Sequence, residues 1–223
     1  MTILCIETST SVCSAAICKG GVPIRQCISR EGSNHARLLP RYIEELLHYA
    51  VEQNLSIEAV ALSEGPGSYT GLRIGTSTAK GLCYGLQVPL IPIPTLHILN
   101  EAAREQGAAG LLCPMIDARR MEVYTTNAEG RARAVVVESE EDLCAGEEEI
   151  CYFGDGAAKC QSVITKPNWH YVPDIVPEAQ FMGVLSETLM ANGQKLTANE
   201  IAYYEPYYLK DFVAAQSHVK GLK

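Results

Sequence analysis

Ser63-Glu64-Gly65-Pro66-Gly67-Ser68-Tyr69-Thr70-Gly71-Leu72-Arg73-Ile74-Gly75 is the stretch on which the fold turns. It follows an apolar run, 59–62, that reads as a strand, and it opens a stretch, 68–86, that reads as a helix. Backbone N–H groups left free at such a helix start, together with the helix dipole, favour an anion. The run nevertheless matches neither standard phosphate loop. Gly65, Gly67 and Gly71 are spaced one residue too widely for GxGxxG, and no Gly-Lys-Ser/Thr closes the loop.

The helix behind the loop carries Gly71, Gly75, Gly81 and Gly85. Each mid-helix glycine costs about 1 kcal/mol against alanine, so something must offset the loss. Glycines four apart leave a shallow groove that admits another backbone, either from the chain's own core or across a subunit interface. Spacing alone leaves both open.

Upstream, 2–6, 15–18 and 24–28 are short β-prone runs, the first pair joined by a Ser/Thr-rich turn and the second by Gly20-Gly21, which reads as a three-strand meander. Leu38/Leu39, Tyr42/Ile43, Leu46/Leu47 and Ala50 then recur at helical spacing, with Pro40 expected near the helix start or at a kink. Downstream come a strand, 88–93, and a helix, 96–105. Strand and helix in alternation build a mostly parallel, helix-covered sheet.

Near Gly107 the pattern restarts. The run 111–116, then Asp117, a polar turn and 122–126 echo Leu4 to Ile6, Glu7, a turn and the second strand. This sets expected lobes at 1–106 and 107–223. The second half continues with a strand, 134–137, an acidic stretch, 138–149, read as a solvated helix with its loop, a strand, 150–153, and Gly154-Asp155-Gly156. A helix over 180–191 ends at Asn192-Gly193, and the tail from Tyr203 is tyrosine-rich and closes basic.

Of 223 residues 47% are hydrophobic, enough for a sizeable core. Eighteen Lys and Arg against 26 Asp and Glu leave a net charge of -8, which argues against gripping nucleic acid unaided, so RNA would be reached through a partner's basic surface. Nine cysteines without a CxxC pair fit reduced thiols in a cytosolic protein. The first residues do not resemble a signal peptide, and no apolar run is long enough for a membrane span. There is no HExxH zinc pattern and no GxSxG elbow; His97 with Glu101 is an ordinary helical pair. Glu7 and Asp117 end strands, where carboxylates can hold magnesium or orient water but more often are solvated or capping groups.

Taken together, Ile6-Glu7-Thr8-Ser9, the glycine run 65–75, Ile116-Asp117-Ala118-Arg119-Arg120-Met121-Glu122-Val123-Tyr124 and Glu205-Pro206-Tyr207-Tyr208-Leu209 resemble the bacterial TsaB (YeaZ) family, in order along the chain. The resemblance implies an α/β fold of the actin/Hsp70-like (ASKHA) class, with duplicated ribonuclease-H-type lobes and a reduced second lobe. It implies a dimerising, non-catalytic subunit that supports the related TsaD in threonylcarbamoylation of tRNA adenosine and helps recruit the ATPase TsaE. TsaD's HxxxH metal pair aligns here with Thr95 and Leu99, which are not metal ligands. Glu7 stands where aspartate is common in the wider superfamily.

Two site expectations follow. The partner surface lies on the helices 36–51 and 68–86, at Leu38, Tyr42, Leu46, Tyr69, Gly71, Arg73, Ile74 and Gly75, where the family is thought to pair. No cofactor or metal is required, and any ATP or ADP binds weakly between the lobes near Gly65, Gly67, Gly154, Asp155 and Gly156. The alternative in a different class is a small-molecule kinase or nucleotide hydrolase of the same superfamily.

Overall fold

The computed structural model describes residues 1–32, 34–143 and 147–210. Strands β1 (Thr2–Glu7), β2 (Cys13–Lys19) and β3 (Val22–Ser29) form the antiparallel meander that the alternation predicts. Helix α1 (His35–Glu52), strand β4 (Ala59–Gly65), helix α2 (Tyr69–Leu86), strand β5 (Leu90–Pro94) and helix α3 (Thr95–Glu105) follow. The sheet order is β3-β2-β1-β4-β5, with β4 parallel to β1 and β5 parallel to β4.

Both faces of this sheet are covered, which is why β1 is buried from end to end. Leu4 and Ile6 point into a core with Leu39, Ile43, Leu46 and Ala50 of α1 and Ala79 and Cys83 of α2. Ile3 and Cys5, one residue out of phase, point into a second core with Ile98 of α3, Ala179 and Met182. Pro40 lies inside α1, in its second turn, so the helix begins earlier than the proline suggested.

The expected strand 111–116 is broken at Met115 into β6 (Leu111–Pro114) and β7 (Ile116–Asp117). β7 continues as an antiparallel meander through β8 (Glu122–Thr126) and β9 (Ala132–Val136). β6 pairs in parallel with β10 (Ile150–Phe153), and β10 with β11 (Trp169–Tyr171). Among its described residues the acidic stretch holds a 3-10 turn, Glu140–Asp142, rather than the expected helix, and Glu140 is buried; residues 144–146 lie outside the described ones. A second 3-10 turn, Ala158–Ser162, lies between β10 and β11.

The expected helix 180–191 begins as a 3-10 turn, Ala179–Met182, before α4 (Gly183–Ala191). A short helix, α5 (Ala198–Tyr203), follows behind a capping box of Thr197 and Glu200. The boundary at Gly107 separates two sets of strands but not two halves of the chain. Between Ala179 and Ile201 the chain packs back on the first sheet, through Met182, Leu185 and Leu189 on one face and Ile201 on the other. The apolar α4 would otherwise have no surface to bury against. Glu178 anchors this return: its buried carboxylate pairs with Arg30 and accepts from Gln26 at 3.0 Å and Gln180 at 2.7 Å.

Helix α3 is the shared wall between the halves. Ile98 faces the first sheet, whereas Leu96, Leu99, Ala102 and Ala103 pack with Ile116, Cys151 and Phe153 of the second. Among the described residues the cysteines are free and buried, and no helix is long and apolar enough to cross a membrane.

Candidate functional site

β1, β4, β7 and β10 all deliver their C-terminal ends to one seam between the halves. Glu7, the last residue of β1, is fully buried there. Its Oε1 accepts from the Ser9 N–H at 2.5 Å and the Ser9 hydroxyl at 2.6 Å, while its Oε2 has no hydrogen-bond partner. Burial pushes the Glu7 carboxyl up to about 7 against the opposing pull of the Ser9 bonds, and the negative charge of Asp155 across the seam adds to the rise.

This rise has a definite sign in stability. A carboxyl whose folded value lies above its unfolded one binds more protons folded than unfolded, so its contribution is fully present below pH about 4.5 and lost as pH climbs through about 7. On this account the wild-type chain loses about 2 kcal/mol of stability from pH 5 to 8 relative to Glu7→Gln. Thermal melts of both proteins across that range check it; a constant difference would show that Glu7 is ionised throughout.

The second half places its acids differently. Asp117 ends β7 in the open and pairs with the Lys159 ammonium, and its Oδ1 also accepts from the Arg119 N–H at 3.0 Å. Asp155 accepts from the Asp117 N–H at 2.9 Å. Its side chain reaches water, yet the protein crowded around it raises its carboxyl above the ordinary range. Among the described residues no group of three or more His, Cys, Asp or Glu is placed to hold a metal ion.

The glycines of the seam are filled by the chain itself. A Cβ on Gly65 would overlap the Tyr207 carbonyl, one on Gly67 the Ser9 carbonyl, and one on Gly71 the Thr8 carbonyl. On Gly75 it would meet the Thr8 hydroxyl, which itself donates to the Gly71 carbonyl at 2.9 Å. In the second half Gly154 and Gly156 press on Met115 and Ile116 in the same way. These glycines let the chain's own turns approach closely on the side where a Cβ would stand.

The expected partner surface divides along the same line. Leu46 is fully buried in the α1 core, and Gly71 and Gly75 face Thr8, so these three are interior packing rather than surface. Leu38, Tyr42 and Ile74 are half-buried and Arg73 is exposed. Leu38 and Tyr42 line a groove of about 580 Å³ on the outer side of α1 with Arg41, Glu44, Glu45 and His48. Arg73 lies over the Tyr69 ring, 5.5 Å from its centroid, and donates to the Tyr69 hydroxyl at 2.9 Å. Thr95 and Leu99 both sit buried on α3, where Leu99 belongs to the shared wall.

Sequence reasoning missed the part played by residues 204–210. Tyr207 donates its N–H to the Glu64 carbonyl at 2.7 Å, Tyr208 stacks on Tyr69 with ring centroids 4.9 Å apart, and Lys210 pairs with Glu122 of β8. The segment thus runs from the glycine loop of the first half to the hairpin of the second. Its tyrosine run was the available signal; the surface it lies on is set only by the tertiary fold.

Known proteins resemble this chain in sequence and in shape. A family model described as TsaD, tRNA N6-adenosine threonylcarbamoyltransferase, matches residues 28–164. The tRNA threonylcarbamoyladenosine biosynthesis protein TsaB of Haemophilus influenzae is 30% identical over 96% of this chain and 95% of its own. The protein of that name from Escherichia coli is 28% identical, with 96% of each chain covered. The crystal structure of YeaZ from Pseudomonas aeruginosa superposes with a TM-score of 0.75 at 28% identity, covering 93% of this chain and 99% of that one. With a relative at that identity matched along nearly its whole length, the chain belongs to the TsaB (YeaZ) family of tRNA threonylcarbamoyladenosine biosynthesis proteins.

Proposed function

We propose that this chain is the non-catalytic scaffold subunit of a tRNA threonylcarbamoylating complex. It pairs with TsaD, helps recruit TsaE, forms a homodimer when alone and works in the cytosol. The observation that carries the reading is the close packing of the seam, where the carbonyls of Tyr207, Ser9 and Met115 stand against Gly65, Gly67 and Gly154.

The duplicated ribonuclease-H-like architecture is part of the proposal. Supporting it, two three-stranded sheets, β9-β8-β7 and β6-β10-β11, are joined through the break between β6 and β7 and together repeat the order and sense of β3, β2, β1, β4 and β5. Gly65 closes β4 and Gly154 follows β10 in left-handed backbone, with φ of 118° and 103°. The second lobe is the reduced one, its crossovers shrunk from α1 and α2 to 3-10 turns.

Reconstitution tests the function. With TsaD, TsaE, tRNA and the substrates of the modification, adding this chain should raise product formation at least ten-fold over its omission, and the isolated chain should not turn over ATP. Full activity without it, or ATP turnover by the chain abolished in Glu7→Ala, would replace the scaffold by an enzyme.

A further inference from the structure

The turn between β7 and β8 carries Arg119 and Arg120 in left-handed backbone, with φ of 72° and 51°. That region is strained for any residue with a Cβ, and turns that need it normally use glycine or asparagine. Both arginines are exposed, and among the described residues neither guanidinium has a hydrogen-bond or ion-pair partner. The hairpin's own acids, Asp117 and Glu122, are already committed. Asp117 is paired with Lys159, whose ammonium also donates to the Glu122 carbonyl at 2.7 Å, and the Glu122 carboxylate is paired with Lys210. Lysines neutralise the hairpin's own carboxylates, and two guanidinium groups are left over in a protein of net charge -8.

Lys210 holds residues 204–210 against this hairpin. Tyr207 beside it is 46% exposed. Planar guanidinium groups with both N–H edges free match phosphate oxygens pairwise, and such contacts position an RNA without reading its sequence.

We propose that the β7-β8 hairpin is a phosphate-contacting surface for a folded RNA, with Arg119 and Arg120 each engaging its phosphodiester backbone. The inference rests on the proposed role in tRNA modification and deepens it: the expectation that RNA is held only by a partner's basic surface gives way to a direct contact from this chain. Strain at the turn is then retained because it holds both side chains outward.

The discriminating variant is Arg119→Gly with Arg120→Gly, because glycine keeps the turn and relieves its strain. In complex with TsaD, tRNA affinity of the double variant should fall about ten-fold at fixed salt, and the plot of log affinity against log salt should become shallower by about 2, near one unit per phosphate lost. Its melting temperature should equal or exceed that of wild type. Unchanged affinity and slope overturn the proposal. So does loss of TsaD co-purification with tRNA affinity unchanged in the remaining complex, which would make the hairpin a contact for an acidic protein. Should the wild-type chain not associate with TsaD at all, the scaffold reading fails separately. The same tRNA titration on the isolated chain at low salt then decides the hairpin's role by the same difference.

Discussion

Gly71→Ala should destabilise the chain by about 3–4 kcal/mol, whereas Gly81→Ala and Gly85→Ala on the same helix should each stabilise it by up to about 1 kcal/mol. The substitution is chemically identical and the helix propensity gained is the same, so the sign is set by what stands opposite. At Gly71 a methyl group would overlap the Thr8 carbonyl, on a turn fixed by the Ser68 N–H donating to the Ser9 carbonyl at 2.6 Å. A backbone carbonyl cannot rotate away as a side chain can, and the turn that carries it also fixes Glu7. At Gly81 and Gly85 nothing lies within 4 Å, and the methyl would only restrict the unfolded chain. For a chain of this size the predicted changes correspond to a fall of about 6–15 °C and rises of about 2–4 °C in Tm. Equal shifts at positions 71 and 81 would show that α2 does not sit on the Thr8 turn at all.

The contrast shows where the sequence was legible and where it was not. The first sheet could be read because β1, β2 and β4 are short apolar runs buried on both faces, and α1 and α2 because their apolar residues recur at three and four. β11, Trp169–Tyr171, was missed because three residues carry no period, and α5 because a helix of six residues barely completes one, although Thr197 and Glu200 spell its cap. The glycine run marked the seam correctly as a place of close approach. What approaches was invisible, because Thr8, Ser9 and Tyr207 are far from those glycines in sequence and nothing local records the pairing. Glu7 was read as a solvated or capping group; it caps the Ser9 turn but is not solvated, because burial is a property of the surrounding fold, which the residue's own neighbours do not encode.

The same distinction decides which residues test the partner surface. Judged by spacing, Leu46 and Gly75 belong to it; judged by burial, charged residues there would unfold the chain and reveal nothing about association. Tyr42 and Arg73 are the informative pair. Tyr42 lines the groove on the outer side of α1, and Arg73 is exposed on the first turns of α2 beside Tyr69. A half-buried aromatic and an exposed arginine are the side chains that most often dominate the energy of an interface. Tyr42→Glu with Arg73→Glu removes both and reverses a charge, so association with TsaD and with a second copy should weaken at least about 100-fold, or about 2.7 kcal/mol. Circular dichroism should remain that of wild type, because neither side chain is fully buried. Leu46→Glu and Gly75→Glu, made in parallel, should each lose the folded spectrum, since one places a charge in the core and the other drives a side chain into Thr8. Undiminished association of the folded Tyr42 and Arg73 variant would move the interface off these two helices, and the open glycines Gly81 and Gly85 could then no longer be explained by a partner lying along α2.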